Sequence, residues 1–207
     1  MPVRTIPRSY RNVTGRIAVA GSRSVAFESP LERDFILISQ FTPGFAGIEE
    51  QPVAIRLPNG RRYTPDFLVT WARRQPDLVE VKPADKVSAM ADKLVPAQDY
   101  AEERGWRFLV VTDLNIRTPR LSNARFLLPF RCHTPDNRIV ARLLSIVEKA
   151  GSGITLGNLI GTVDGMPRGL CLPALWHLVS TFRIAVDLDA PVTMASVAAP
   201  HSGAVPA

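Results

Sequence analysis

The chain has 207 residues and a mass of 22.7 kDa, which fits one large domain or two small ones. Apolar residues make up 46% of it, which excludes a wholly disordered protein, and no apolar run reaches the length of a membrane span. The formal net charge of +6 favours a polyanionic partner, although a basic balance is also common in ordinary soluble proteins. Cys132 and Cys171 lack the spacing of a zinc site and fit a reducing compartment.

Residues 1–27 are predicted to form a basic N-terminal arm. They contain several arginines and no acidic residue. We interpret the segment as an arm lying along a polyanion. A flexible tail is the structural alternative, and a mitochondrial presequence has the same composition.

A helix is predicted to begin after residue 29. Ser29 suits the N-cap, Pro30 the first helical position, and Glu32 the third position after the cap. The helix is expected to end before Pro43-Gly44.

Strands are predicted over residues 53–57, 63–71 and 77–82, and the short loop between the last two makes them antiparallel. A helical region follows over 85–104, which Pro96 breaks or restarts. A fourth strand over 106–112 is almost wholly apolar and is therefore expected to be central. The order predicts an α/β core with a mixed central sheet, over residues 28–131.

The last part of the core, 113–131, is predicted to be a further helix. A boundary near residues 133–136 then separates a small second domain over 135–197. It contains predicted helices at 136–150, 155–160 and 167–181, and a hairpin of 183–186 with 192–197. This order is typical of a winged helix. The tail 198–207 is rich in alanine and proline and is expected to be disordered.

The candidate chemistry lies on the second and third predicted strands. Side chains alternate along a strand, so Glu80 and Lys82 emerge on the same face. Asp66, among apolar neighbours, is costly unless it is paired or bound to a metal. If Asp66 meets Glu80 on the neighbouring strand, two carboxylates and the Val81 carbonyl can bind a divalent ion, and Lys82 can orient a water near a phosphate. Alternatively, Asp66 caps a turn and Lys82 is simply an ion-pair partner of Glu80.

Four further residues are candidates for the site. Glu32 either closes a capping box with Ser29 or supplies another carboxylate to the metal. Arg61 and Arg62 stand near a turn before Asp66, and Lys86 follows the third strand. Each of these cations is interpreted either as a phosphate contact or as part of a solvated surface.

Taken together, these motifs resemble the PD-(D/E)xK nuclease superfamily, and more specifically the TnsA endonucleases of heteromeric transposases. The resemblance covers most of residues 10–130 and depends on the order and spacing of short motifs. The resembling segments are 25–34 (VAFESPLERD), 51–52 (QP), 63–68 (YTPDFL), 79–82 (VEVK), 105–108 (GWRF), 110–112 (VVT), 116–117 (IR) and Asn123.

The resemblance implies a restriction-endonuclease-like core and a catalytic set of Glu32, Asp66 and Lys82, with Glu80 at a position where the family has glutamine or glutamate. It implies a Mg²⁺-dependent endonuclease, with Mn²⁺ as a substitute, that cleaves the 5′ ends of a transposon in double-stranded DNA. The expected partners are a DDE transposase subunit (TnsB-like) and an AAA+ regulator (TnsC-like) in the bacterial cytoplasm. The alternatives are a stand-alone restriction or repair nuclease and a catalytically silent DNA-binding scaffold.

Overall fold

The computed structural model describes residues 13–19, 24–151, 153–163 and 165–201. The chain divides into two compact units after Arg117. This division comes earlier than the predicted boundary near residues 133–136. The reason is that helix α4 (Pro119–Leu127) and the 3₁₀ segment Leu128–Cys132 pack on helix α7 (Arg168–Ser180) of the second unit.

The first unit begins with two short strands inside the segment that was predicted as an arm. Strands β1 (Gly15–Ile17) and β2 (Val25–Phe27) pair in antiparallel fashion, and β2 is buried along its length. The apolar residues of β2 therefore contribute to the core, and this part of the segment is not an extended arm. The rest of that prediction, residues 1–12 and 20–23, lies outside the described residues.

Helix α1 (Pro30–Gln40) begins where the sequence predicted. The Ser29 side chain accepts a hydrogen bond of 3.2 Å from the Glu32 N–H, and Pro30 occupies the first turn. Phe35 and Ile36 are buried, and the Phe35 ring stacks on Phe67 of the sheet at 5.6 Å between centroids. The cap fixes the first residue of the helix, and the ring contact places α1 beside the sheet.

Within the described residues, four strands form the central sheet in the order β3-β6-β7-β8. They are β3 (Phe45–Glu50), β6 (Phe67–Trp71), β7 (Asp77–Val81) and β8 (Arg107–Val111). The first three are antiparallel neighbours and β8 is parallel to β7, so the predicted mixed sheet is confirmed. Strand β3 was not predicted. The predicted strand over 63–71 is divided into β5 (Arg62–Tyr63), which pairs with β4 (Ile55–Arg56), and β6.

Two predictions about the end of the first unit were wrong. Strand β8 stands at the end of the described sheet order, not at its centre. Its apolar composition reflects helix packing on its faces, as where Phe108 contacts the buried cluster beneath helix α2 (Ala91–Glu102). Pro96 lies inside α2 and does not end it, since the change from the 3₁₀ segment Ala84–Met90 to the α-helix occurs before it. A short helix, α3 (Asp113–Ile116), closes the unit.

The second unit contains the helices α4, α5 (Asn137–Ala150), α6 (Leu156–Gly161) and α7. Three short antiparallel strands, β9 (Ile154–Thr155), β10 (Ile184–Ala185) and β11 (Val197–Pro200), lie in the order β10-β11-β9. The partner of β10 is β11, which replaces the predicted strand 192–197 and extends into the predicted disordered tail. Residues 202–207 of that tail lie outside the described residues.

The Asn123 side chain explains this shift. It donates to the carbonyls of Leu188 and Ala190, each over 2.8 Å, and accepts from the Val192 N–H over 3.1 Å. These bonds hold the segment around residue 190 against α4, so the chain can begin β11 only later. In the described residues, no helix is both long and apolar enough to cross a membrane.

Candidate active site

The candidate site lies where β6 begins and β7 ends. Phe67 pairs with Val79, and continuing this antiparallel register by one residue places Asp66 opposite Glu80. The Asp66 Oδ2 atom accepts a hydrogen bond of 2.8 Å from the Val81 N–H. Because the N–H and C=O of one strand residue lie on the same edge, the Val81 carbonyl also faces the Asp66 side. The structure therefore brings the two acids and the Val81 backbone together.

Glu80 is only 3% exposed, and both of its carboxylate oxygens have partners. The Tyr63 hydroxyl donates to Oε2 over 2.7 Å, and the Lys82 Nζ atom lies 2.8 Å from Oε1. A buried carboxylate without such partners would carry a large desolvation cost. The side chains of Glu80 and Lys82 thus meet on one face of β7, as their spacing predicted.

Lys82 provides a positive charge beside the two acids. Burial on its own would lower the pKa of Lys82, but the hydrogen bond and the charge of Glu80, with the charges of Asp66 and Glu32, raise it above its ordinary value. Lys82 is therefore charged at neutral pH. The ion pair that was the structural alternative for Lys82 is present, and it leaves the amino group at the site.

The pKa of Asp66 reflects the negative charge of the neighbouring acids. Burial raises the pKa of Asp66 well above its ordinary value, and the charges of Glu80 and Glu32 raise it further. The Val81 N–H and the charge of Lys82 act in the opposite direction without cancelling this effect. The site therefore favours the addition of a cation.

Glu32 is bound at the start of α1, as its capping alternative predicted. Its Oε2 atom accepts from the Glu28 N–H over 2.6 Å, and its Oε1 atom accepts from the Ser29 hydroxyl over 2.9 Å. Burial raises the pKa of Glu32 above its ordinary value, although these two bonds and the charge of Lys82 act in the opposite direction. Glu32 is thus close enough to be affected by the charge of Lys82, although its oxygens serve the helix start.

Gln51 connects the two elements that carry Glu32 and Asp66. Its backbone N–H donates to the Asp66 carbonyl over 2.8 Å, and its Nε2 atom donates to Glu28 Oε1 over 3.2 Å. Its φ angle of +46° lies in the left-handed region that residues with a side chain rarely adopt. Such backbone strain is found frequently at functional sites.

The oxygen donors of the site fit a hard divalent cation. Mg²⁺ in proteins usually binds one or two carboxylates and keeps several waters. Asp66, Glu80 and the Val81 carbonyl are donors of this kind. In the part of the chain that the structure describes, no three His, Cys, Asp or Glu side chains form a ready metal cluster.

The basic residues predicted to contact DNA lie on the surface. Arg61 and Arg62 are exposed in the hairpin of β4 and β5, where Arg56 pairs directly with Arg62. Lys86 is exposed in the 3₁₀ segment after β7, with its Nζ atom 3.4 Å from Asp85. The contacts of Asp66, Glu80 and Lys82 given above do not include these side chains.

Sequence reasoning missed the contacts of Tyr63 and Gln51 with the site. Both residues stand in the motifs that carried the family resemblance. Tyr63 stands between Arg62 and Thr64, so its neighbours in sequence do not identify its hydrogen-bond partner, and no spacing rule predicts a glutamine in a left-handed conformation.

Comparison with known families covers most of the chain. Residues 40–113 match the family described as TnsA-like endonuclease N terminal, and residues 115–188 match TnsA endonuclease C terminal. No curated protein matches the chain significantly. The two family matches follow one another along the chain and meet beside the division after Arg117. The chain therefore belongs to the TnsA-like endonuclease family.

Proposed function

We propose that this protein is a Mg²⁺-dependent DNA endonuclease that cleaves the 5′ ends of a transposon. The proposal is carried by the meeting of Asp66, Glu80 and Lys82 at one end of β6 and β7, in a chain of the TnsA-like endonuclease family. Two acids and one cation leave an excess of negative charge, which suits a site for a divalent ion beside a phosphate.

Each site residue has a role in this proposal. Asp66 and Glu80 bind the cation with the Val81 carbonyl, and Glu32 completes or positions this set from the start of α1. When bound, Mg²⁺ supplies Lewis-acid catalysis of phosphodiester hydrolysis, and Mn²⁺ can substitute for it. Lys82 orients the attacking water or stabilises the negative charge that develops on the phosphate.

The exposed hairpin of β4 and β5 supports contact with DNA. Arg56 and Arg62 face each other across the two strands, and like charges directly opposite are destabilising. A phosphate backbone lying along the hairpin would neutralise them. We propose that Arg61, Arg62 and Lys86 contact phosphates. Changing one of them to alanine is then expected to reduce the salt slope of DNA binding by about one.

The family also supports a finer assignment of architecture and partners. We propose that the first unit is a restriction-endonuclease-like core and that the second unit, with its helices and three short antiparallel strands, is a winged-helix-like domain. The proposed partners are a TnsB-like DDE transposase subunit, which processes the 3′ ends, and a TnsC-like AAA+ regulator. The proposed setting is the bacterial cytoplasm.

A strand-nicking assay on DNA that carries the transposon ends, with the transposase subunit present, tests the function. It compares the wild type with Asp66→Ala and with Asp99→Ala, a matched change of an exposed aspartate on α2. The wild type and Asp99→Ala should nick DNA with Mg²⁺ and not with EDTA, while Asp66→Ala should be inactive.

The other outcomes identify the alternatives. Equal nicking by the wild type and Asp66→Ala would remove Asp66 from the mechanism. Nicking by the wild type without any transposase subunit would favour a stand-alone nuclease. An inactive wild type with all partner subunits present would favour a scaffold.

A further inference from the structure

We propose that Tyr63 is a positioning residue of the cation site, because its buried hydroxyl holds the Glu80 carboxylate in place. The inference rests on the proposed function, in which Glu80 binds a divalent ion. The Tyr63 hydroxyl donates to Glu80 Oε2 over 2.7 Å, on the side of the carboxylate that Lys82 does not occupy.

The core fixes the position of the Tyr63 ring. Tyr63 is 6% exposed and belongs to a buried cluster that includes Ile55, Leu78 and Met90. The Nζ atom of Lys93 on α2 lies 5.5 Å from the centroid of its ring. A ring packed in this way cannot turn without moving its neighbours, so the hydroxyl is a fixed donor.

Two donors at different oxygens determine the orientation of the Glu80 carboxylate. With Oε2 held by Tyr63 and Oε1 by Lys82, the group cannot rotate about its last side-chain bond without losing one partner.

Without the hydroxyl, Lys82 would be the remaining partner of the Glu80 carboxylate among the contacts described above. The carboxylate would then turn toward the amino group, and its position opposite Asp66 would no longer be set. Partners that orient a metal ligand typically account for about 10–100-fold in metal affinity. We expect a loss of this size in Tyr63→Phe, which keeps the ring and its packing.

The test measures Mn²⁺ binding to the full chain by electron paramagnetic resonance. Tyr63→Phe is compared with the wild type and with Tyr100→Phe, a matched change at a tyrosine of α2 whose ring contacts Trp106 and Arg104. Circular dichroism and the thermal midpoint verify that each variant is folded. The expected result is at least 10-fold weaker Mn²⁺ binding in Tyr63→Phe only.

Cleavage kinetics give a second readout that a purely structural role would not change. In Tyr63→Phe, the Mn²⁺ concentration for half-maximal cleavage should rise at least 10-fold, while the rate at saturating Mn²⁺ should stay within a factor of about three. Mn²⁺ binding as tight in Tyr63→Phe as in Tyr100→Phe would overturn the inference and leave the proposed function intact. Failure of the wild type to bind Mn²⁺ would overturn both.

Discussion

The excess negative charge around Asp66 predicts that this residue destabilises the protein when no metal is present. In Asp66→Asn, the amide oxygen can still accept the bond from the Val81 N–H, and replacing a charged acceptor by a neutral one costs about 1 kcal/mol. The substitution also removes the unfavourable free energy of burying the Asp66 carboxylate beside Glu80 and Glu32, and this gain is larger than the loss. We expect a net gain of about 1 kcal/mol, as for other stabilising substitutions at functional sites, or about 2–4 °C in the thermal midpoint.

Addition of Mg²⁺ should reverse the order of stability. At a free concentration 100 times its dissociation constant, a ligand that binds only the folded state stabilises it by about 2.7 kcal/mol. The wild type should gain this amount and Asp66→Asn should gain little. Asp99→Asn serves as the control, and differential scanning calorimetry in EDTA and in Mg²⁺ measures both effects. A lower midpoint for Asp66→Asn in EDTA, or an equal gain from Mg²⁺ in both proteins, would refute the reasoning.

Four further substitutions concern other contacts. Lys82→Ala should abolish cleavage but lower the free energy of unfolding by only about 1 kcal/mol, since Glu80 keeps Tyr63 as a partner. The control is Lys149→Ala, at an exposed lysine of α5, and a collapse of the thermal midpoint in Lys82→Ala would show that Lys82 is structural. Asp77→Asn should cost about 2–3 kcal/mol in urea unfolding, because Arg74, Arg107 and Trp71 all donate to this buried carboxylate, and a cost below 1 kcal/mol would contradict that role. Asn123→Ala should lower the free energy of unfolding by about 2–3 kcal/mol, and Arg120→Ala should lower it much less, since its partner Asp189 is largely exposed. The hydrogen bond from Arg120 lowers the pKa of Asp189, so the stability contributed by Arg120 is present above the ordinary Asp pKa and is lost as the pH falls through the lowered value. Urea unfolding at neutral and acid pH measures this, and equal costs of Arg120→Ala at both would contradict it.

The sequence predicted the relative placement of Asp66, Glu80 and Lys82, which local rules determine. The spacing of Glu80 and Lys82 fixes their common face on any strand, and the antiparallel pairing of β6 and β7 places Asp66 opposite Glu80. The start of α1 followed from Ser29, Pro30 and Glu32. These are short-range features, so they do not depend on the rest of the fold.

The missed features depend on contacts between distant residues. Strand β3 contains Gly47 and two glutamates, which are poor strand formers, and its conformation follows from its pairing with β6. The start of β11 depends on the bonds of Asn123, which is far away in sequence. The bond between Tyr63 and Glu80 likewise joins two strands that do not pair with each other.

The conformation of Gln51 has a consequence for how the protein tolerates change. With its φ angle of +46°, Gln51 bonds to Asp66 through its backbone and to Glu28, in the segment before α1, through its side chain. This one angle therefore helps to fix the position of Glu28 relative to Asp66. A substitution that relaxes φ toward negative values would separate these attachments even if every acid were retained. Variants of the first unit should therefore leave residues 50–52 unchanged and take their substitutions from the exposed residues of the β4–β5 hairpin.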